Sequence, residues 1–127
     1  MDKIRVVIID DEIGFIKLLT LNLHLESDIL VTGSETSSVK GIEIVKKLQP
    51  DIVLLDVNIS GYQDGIEAAG EISQISNAKI IMVSSSSEKE VIQRAYAAGA
   101  THFLSKADLK QLPDLIRNPG MLIKFDR

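Results

Sequence analysis

Four short segments carry side chains whose types and spacing could do chemistry: Asp10-Asp11-Glu12, Asp56-Val57-Asn58, Ser84-Ser85 and Ser105-Lys106. Each follows a short run rich in Ile, Val or Leu. If those runs are strands of one open α/β sheet, all four segments reach the same rim, because ligands gather beyond the carboxyl ends of such strands. Carboxylates set that close repel one another, so a cation belongs among them. Oxygen donors with no His or Cys nearby favour a hard ion, and Mg²⁺ held by one or two carboxylates plus water fits best. A hard dication, an ammonium and a hydroxyl are together the parts that neutralise a transferring phosphoryl group. Asp56 is then the candidate nucleophile, since a carboxylate can form an acyl phosphate.

Singly, each residue has a plainer reading. Asp10-Asp11 could be an acidic pair favoured by a helix dipole, Asp56 the start of a turn, Ser84 a capping hydroxyl and Lys106 a solvated surface cation. Their arrival in order at successive strand ends favours one shared site over four coincidences.

The elements that must position them are legible in the apolar pattern. Ile4–Ile9, Ile29–Thr32, Ile52–Leu55, Lys79–Val83 and Thr101–Leu104 are too short for helices, and several are apolar at consecutive positions, as suits strands covered on both faces. Between them, Glu12–Glu26 carries Phe15, Leu18, Leu19 and Leu23 at helical spacing. Leu21 and Leu25 form a second row on that helix, and fuller burial is the expectation for it. Val39, Ile42, Val45 and Leu48 make another stripe, stopped by Pro50, and Ile66, Ala69, Ile72 and Ile75 a third. Asp64 with Glu67 and Ser87 with Glu90 match the capping box, and Gly99 suits a left-handed helix end. The last helix, Asp108–Arg117, is interrupted by Pro113 and stopped by Asn118-Pro119-Gly120. Strand and helix therefore alternate five times, which predicts a parallel sheet with helices on both faces.

Composition sets the outer limits. The 127 residues suit one domain. With no Cys, the chain has neither a disulfide nor a thiol nucleophile. A net charge of −4 argues against a surface that binds nucleic acid. The start, Met1-Asp2-Lys3, does not read as a signal peptide, and no apolar stretch approaches the roughly 18 residues of a membrane span. The expectation is a cytoplasmic domain. His24 and His102 have no partner spacing that suggests a metal site.

Four motifs in order resemble the receiver (REC) domain of two-component response regulators. They are Val6-Val7-Ile8-Ile9-Asp10-Asp11-Glu12, Ile52-Val53-Leu54-Leu55-Asp56-Val57-Asn58, Ile81-Met82-Val83-Ser84 and Ala98-Gly99-Ala100-Thr101-His102-Phe103-Leu104-Ser105-Lys106. The resemblance covers residues 1–117 and leaves 118–127 as a tail, or as the start of a linker to an absent output domain. It implies a flavodoxin-like α/β fold, a five-stranded parallel sheet in the order 2-1-3-4-5 with helices on both faces. It also implies phosphorylation of Asp56 by a histidine kinase or phosphotransfer protein. Asp11, Asp56 and the Asn58 carbonyl would hold Mg²⁺, with Asp10 reaching it through water. Lys106 and Ser84 would meet the phosphoryl oxygens, and Phe103 would swing inward as the hydroxyl moves. In the family, the face made by the fourth helix, fifth strand and fifth helix commonly dimerises or meets an output domain, so a homodimer formed on phosphorylation is an expectation.

Three departures from the family pattern stand out. The residue after Lys106 is Ala107 where a proline is usual, often in a cis bond. A cis bond before Ala would cost roughly 2.5–4 kcal/mol, so a trans or rearranged loop is expected. Some receivers of helix-turn-helix transcription regulators also lack that proline, and this chain is similar to them. After Asp56, the usual Pro and Gly positions hold Ser60 and Asp64, with Gly65 one residue late, which unsettles the path of Ser60–Gln63. The final helix is short. These changes motivate a second reading, a pseudo-receiver that signals without phosphate. A third, a phosphohydrolase similar to the haloacid dehalogenases, requires Asp-x-Asp after the first strand, whereas Asp10 and Asp11 are adjacent.

Overall fold

The computed structural model describes residues 2–59, 64–85 and 88–119. Five strands, β1 (Ile4–Ile9), β2 (Ile29–Glu35), β3 (Ile52–Leu55), β4 (Lys79–Ser84) and β5 (His102–Ser105), form one sheet in the order β2-β1-β3-β4-β5. All four neighbouring pairs are parallel. The helices are α1 (Ile13–Leu23), α2 (Ser38–Leu48), α3 (Asp64–Ile75), α4 (Lys89–Ala97) and α5 (Leu112–Arg117), with a 3₁₀ stretch over Lys106–Gln111.

Alternate strand residues serve two cores. Val7, Ile9, Val53, Leu55, Ile80, Met82 and Phe103 face Val45 of α2, Ala69 and Ile72 of α3, and Val91 and Ala95 of α4. Val6, Ile8, Ile52, Leu54, Ile81, Val83 and Leu104 face Ile16, Leu19 and Leu23 of α1 and Leu112, Leu115 and Ile116 of α5. Both faces are thus dry, which is why the strand runs are apolar without alternating.

Several expectations need correction. Leu21 and Leu25 are not buried but 71% and 80% exposed. A helix lying on one sheet face buries one stripe, here Ile16, Leu19 and Leu23, and the second row points away from it. Strand β2 runs on through Gly33, Ser34 and Glu35, which pair with Val7, Ile8 and Ile9 after a register shift between Val6 and Val7. Asp64 is the first residue of α3 rather than its cap. Ser87 and the Ser60–Gln63 loop lie outside the described residues.

Pro113 does not interrupt the last helix; it stands in the first turn of α5, where a missing N–H is not needed. Arg117, at the end of that helix, donates from Nε and Nη2 to Asp28 at 2.8 and 2.9 Å and from Nη2 to Glu26 at 2.5 Å. This fork ties α5 to the turn between α1 and β2. Gly99 takes φ 115°, the left-handed conformation expected at the end of α4. Among the described residues, no helix is long and apolar enough to cross a membrane.

Candidate functional site

Register brings the acids together. Ile9 is paired with Leu55 across β1 and β3, so the residues that follow, Asp10 and Asp56, leave the sheet side by side. Their amides continue the ladder: Asp10 donates to the Glu35 carbonyl at 3.1 Å and Asp56 to the Ile9 carbonyl at 3.0 Å. On the other side, Ser84 pairs with Ser105, which delivers Lys106 to the same rim.

Each acid is then fixed by its own loop. Oδ1 of Asp10 accepts from the Glu12 amide at 2.9 Å, and Oδ1 of Asp56 accepts from the Asn58 amide at 3.3 Å. Both are turns in which a carboxylate bonds the backbone two residues on. They leave the Oδ2 atoms turned toward Lys106, whose Nζ lies 3.2 Å from Asp10, 3.8 Å from Asp56 and 3.5 Å from Oε1 of Glu12. The ammonium also lies over the ring of Phe15, 4.2 Å from its centroid.

The electrostatics leave room for more positive charge. Burial pushes the Asp10 carboxyl above its usual range. Burial also pushes Asp56 up, with the neighbouring Asp10 charge adding to it. For Lys106, burial alone would lower the pKa, but the charges of Asp56, Asp10 and Glu12 outweigh it and the ammonium is held above its ordinary value. Oxygen atoms of Asp10, Asp11 and Asp56 lie within 4.8 Å of one another. Three clustered carboxylates, offering oxygen donors alone, fit a hard dication such as Mg²⁺.

Ser84 is fully buried at the end of β4. Phe103 is 2% exposed and packs in the core shared with α3 and α4, its ring inward. Its amide, on the edge strand, donates to the hydroxyl of Tyr96 at 3.2 Å. The strand ends thus bring Asp10, Asp11, Asp56, Asn58, Ser84 and Lys106 to one rim, with Phe103 two residues before Ser105 on β5.

Four contributors had been assigned no role in the site from the sequence. Glu12 and Phe15 contact Lys106 from the start of α1. The Ser105 hydroxyl accepts from the Ala107 amide at 3.1 Å and shapes the turn after the lysine. Gly65 lets α3 approach the Asp56 backbone, where an added Cβ would meet the Asp56 carbonyl oxygen at 1.9 Å. The late glycine therefore still serves a close approach. Its signal in the sequence was its place just inside a helix start, whereas nothing local marks Phe15 as a partner of Lys106.

A family model described as the response regulator receiver domain matches residues 6–117. The chain is 34% identical over 103 residues to the chemotaxis protein CheY of Thermotoga maritima, covering 80% of this chain and 84% of that protein. It is 34% identical over 108 residues to a protein-glutamate methylesterase/protein-glutamine glutaminase of Nitrosomonas europaea, covering 84% of this chain but only 30% of that longer protein. Among solved structures, the signal receiver domain of the response regulator NarL from Mycobacterium tuberculosis superposes with a TM-score of 0.83 at 27% identity, covering 93% of this chain and 99% of that one.

Proposed function

This chain belongs to the response regulator receiver family, a signalling module of two-component systems, and from that premise we propose that Asp56 is its phosphoacceptor. The observation that carries the proposal is the placement of the Lys106 ammonium between Asp10 and Asp56, beside a trio of carboxylates spaced for one dication. Residues 1–117 form the receiver in this reading, in keeping with the extent of the family match, and 118–127 are a tail or linker.

Asp11, Asp56 and the Asn58 carbonyl would hold Mg²⁺, with Asp10 reaching it through water, and the ion when bound would supply positive charge against the incoming phosphoryl oxygens. A free Oδ of Asp56 attacks phosphorus. The bond from phosphorus to the donor nitrogen of a phosphohistidine, or to the oxygen of a small acyl phosphate, breaks and its electron pair leaves with the donor. Lys106 moves from its carboxylate partners to a phosphoryl oxygen, and the Ser84 hydroxyl donates to another. Asp10, already short of counter-charge, keeps the ammonium at the rim until then.

Phosphorylation adds about −1.5 to −2 charges. The response is a population shift in which the Ser84 contact and the inward Phe103 ring favour one arrangement of the α4, β5 and α5 face. The donors are a sensor histidine kinase or a phosphotransfer protein, in the cytoplasm, and a homodimer through that face is the expected product of activation. Light scattering tests that last step, and an unchanged mass after activation at high concentration contradicts it.

Beryllofluoride, a stand-in for the phosphoryl group, tests the site. It should raise the thermal midpoint of the protein only when Mg²⁺ is present, because a ligand of the native state stabilises it. No response to the pair would count against a competent site.

A further inference from the structure

We infer that Phe15 is a positioning residue for Lys106, its ring holding the ammonium over the acid cluster while the carboxylate partners of that ammonium change. The inference rests on the reading of Asp56 as phosphoacceptor and Lys106 as the cation that meets the phosphoryl group, and it adds a residue which that reading does not use.

Among the described residues, Lys106 Nζ lies 3.2 Å from Asp10, 3.5 Å from Glu12, 3.8 Å from Asp56 and 4.2 Å from the centroid of the Phe15 ring. The three carboxylates are variable partners. Asp56 takes on the phosphoryl group, Asp10 belongs to the trio that would share a dication, and the Glu12 side chain is 69% exposed and so screened by water and salt. The ring is different. A cation within about 6 Å of an aromatic face is drawn to its quadrupole whatever its other partners do, and a ring neither titrates nor binds Mg²⁺.

Phe15 is also well placed to stay put. It lies in the first turn of α1, packed against the apolar cluster that includes Ile16 and Leu19 of the same helix. The lysine side chain is only 17% exposed, so the contact is largely shielded from water. A leucine or methionine at position 15 would fill a similar volume but offer no face to the cation. Packing alone would treat those residues as near equivalents, while a cation-holding role singles out aromatic ones.

The test uses the full chain as wild type and as Phe15→Leu, Phe15→Met and Phe15→Tyr, with thermal midpoints confirming that each variant folds. One readout is the NMR shift of the Lys106 ε-methylene protons, which ring current moves upfield when they lie over the ring. The other is the rate of phosphoryl uptake from acetyl phosphate with Mg²⁺, followed by intact mass. Wild type and Phe15→Tyr should share the upfield shift, and Phe15→Leu and Phe15→Met should lose it and take up phosphate on the order of five-fold more slowly. Equal uptake rates in folded wild type, Phe15→Leu and Phe15→Tyr would overturn the inference while leaving the phosphoacceptor reading intact. No uptake by wild type would overturn both.

Discussion

Gly65 lies against the backbone of Asp56: a Cβ at position 65 would stand 1.9 Å from the Asp56 carbonyl oxygen and 2.7 Å from the Val57 Cα. The Gly65 amide also donates to the Val57 carbonyl at 2.9 Å. Backbone cannot yield as a flexible side chain can, so the first turn of α3 is fixed to the acid by the absence of a side chain. Asp56 and α3 thus share one close backbone contact.

Gly65→Ala should therefore destabilise the protein by about 2–3 kcal/mol, the upper range for forcing extra atoms into a packed site, and weaken Mg²⁺ binding. Gly14→Ala is the matched control. Among the described residues beyond its chain neighbours and its own helix backbone, none lies within 4 Å of a Cβ placed there, so exchange for a better helix former in α1 should stabilise by about 0.5–1 kcal/mol. Urea unfolding of both variants, with Mg²⁺ titrated separately, checks the pair.

Ala107 occupies the place of a common family proline for a local reason. Its amide donates to the Ser105 hydroxyl at 3.1 Å at the start of the 3₁₀ stretch, and proline has no N–H to give. Ala107→Pro should cost about 1 kcal/mol for the lost bond and disfavour the helical conformation of Lys106 just before it. A midpoint equal to wild type would contradict this account of the loop.

Asp10 and Asp56 are carboxyls whose folded pKa values lie above the unfolded one, chiefly through burial. Between the two values the native state holds more protons than the unfolded state, so metal-free stability falls as pH rises above the ordinary value near 3.8. In EDTA, Asp10→Asn should flatten that fall and unfold later than wild type at pH 7. Adding Mg²⁺ should reverse the ranking, raising wild type by about 2.7 kcal/mol at a hundredfold excess over Kd and the variant far less.

The Arg117 fork gives the opposite sign. Its hydrogen bonds hold the Asp28 carboxyl below its usual value. The stability it contributes is full above the unfolded pKa of 3.8 and is lost as pH falls through the depressed folded value. Arg117→Ala should lower stability at pH 7, more so at low salt, and remove that part of the acid dependence. Acid titrations of both proteins at two salt concentrations read it directly.

These residues also show what the sequence could and could not reveal. The strands were legible because a sheet covered on both faces demands unbroken apolar runs, and the acids because each stands at the end of such a run. Glu35 was missed as a strand residue because Gly33-Ser34-Glu35 pairs through its backbone with no apolar pattern to mark it. Leu21 and Leu25 misled because helical spacing shows which residues share a face, not whether anything covers that face. The Phe15 contact was invisible because α1 and the Lys106 turn meet only through the fold.

The central claim is that Asp56 accepts the phosphoryl group, and intact mass after incubation with acetyl phosphate and Mg²⁺ tests it most directly. The account predicts one added phosphoryl mass on wild type and none on Asp56→Asn, with EDTA abolishing the adduct. An equal adduct on Asp56→Asn would place the chemistry on another residue. No adduct on wild type, together with no Mg²⁺-dependent stabilisation by beryllofluoride, would contradict the account and leave an interaction module that works without phosphate.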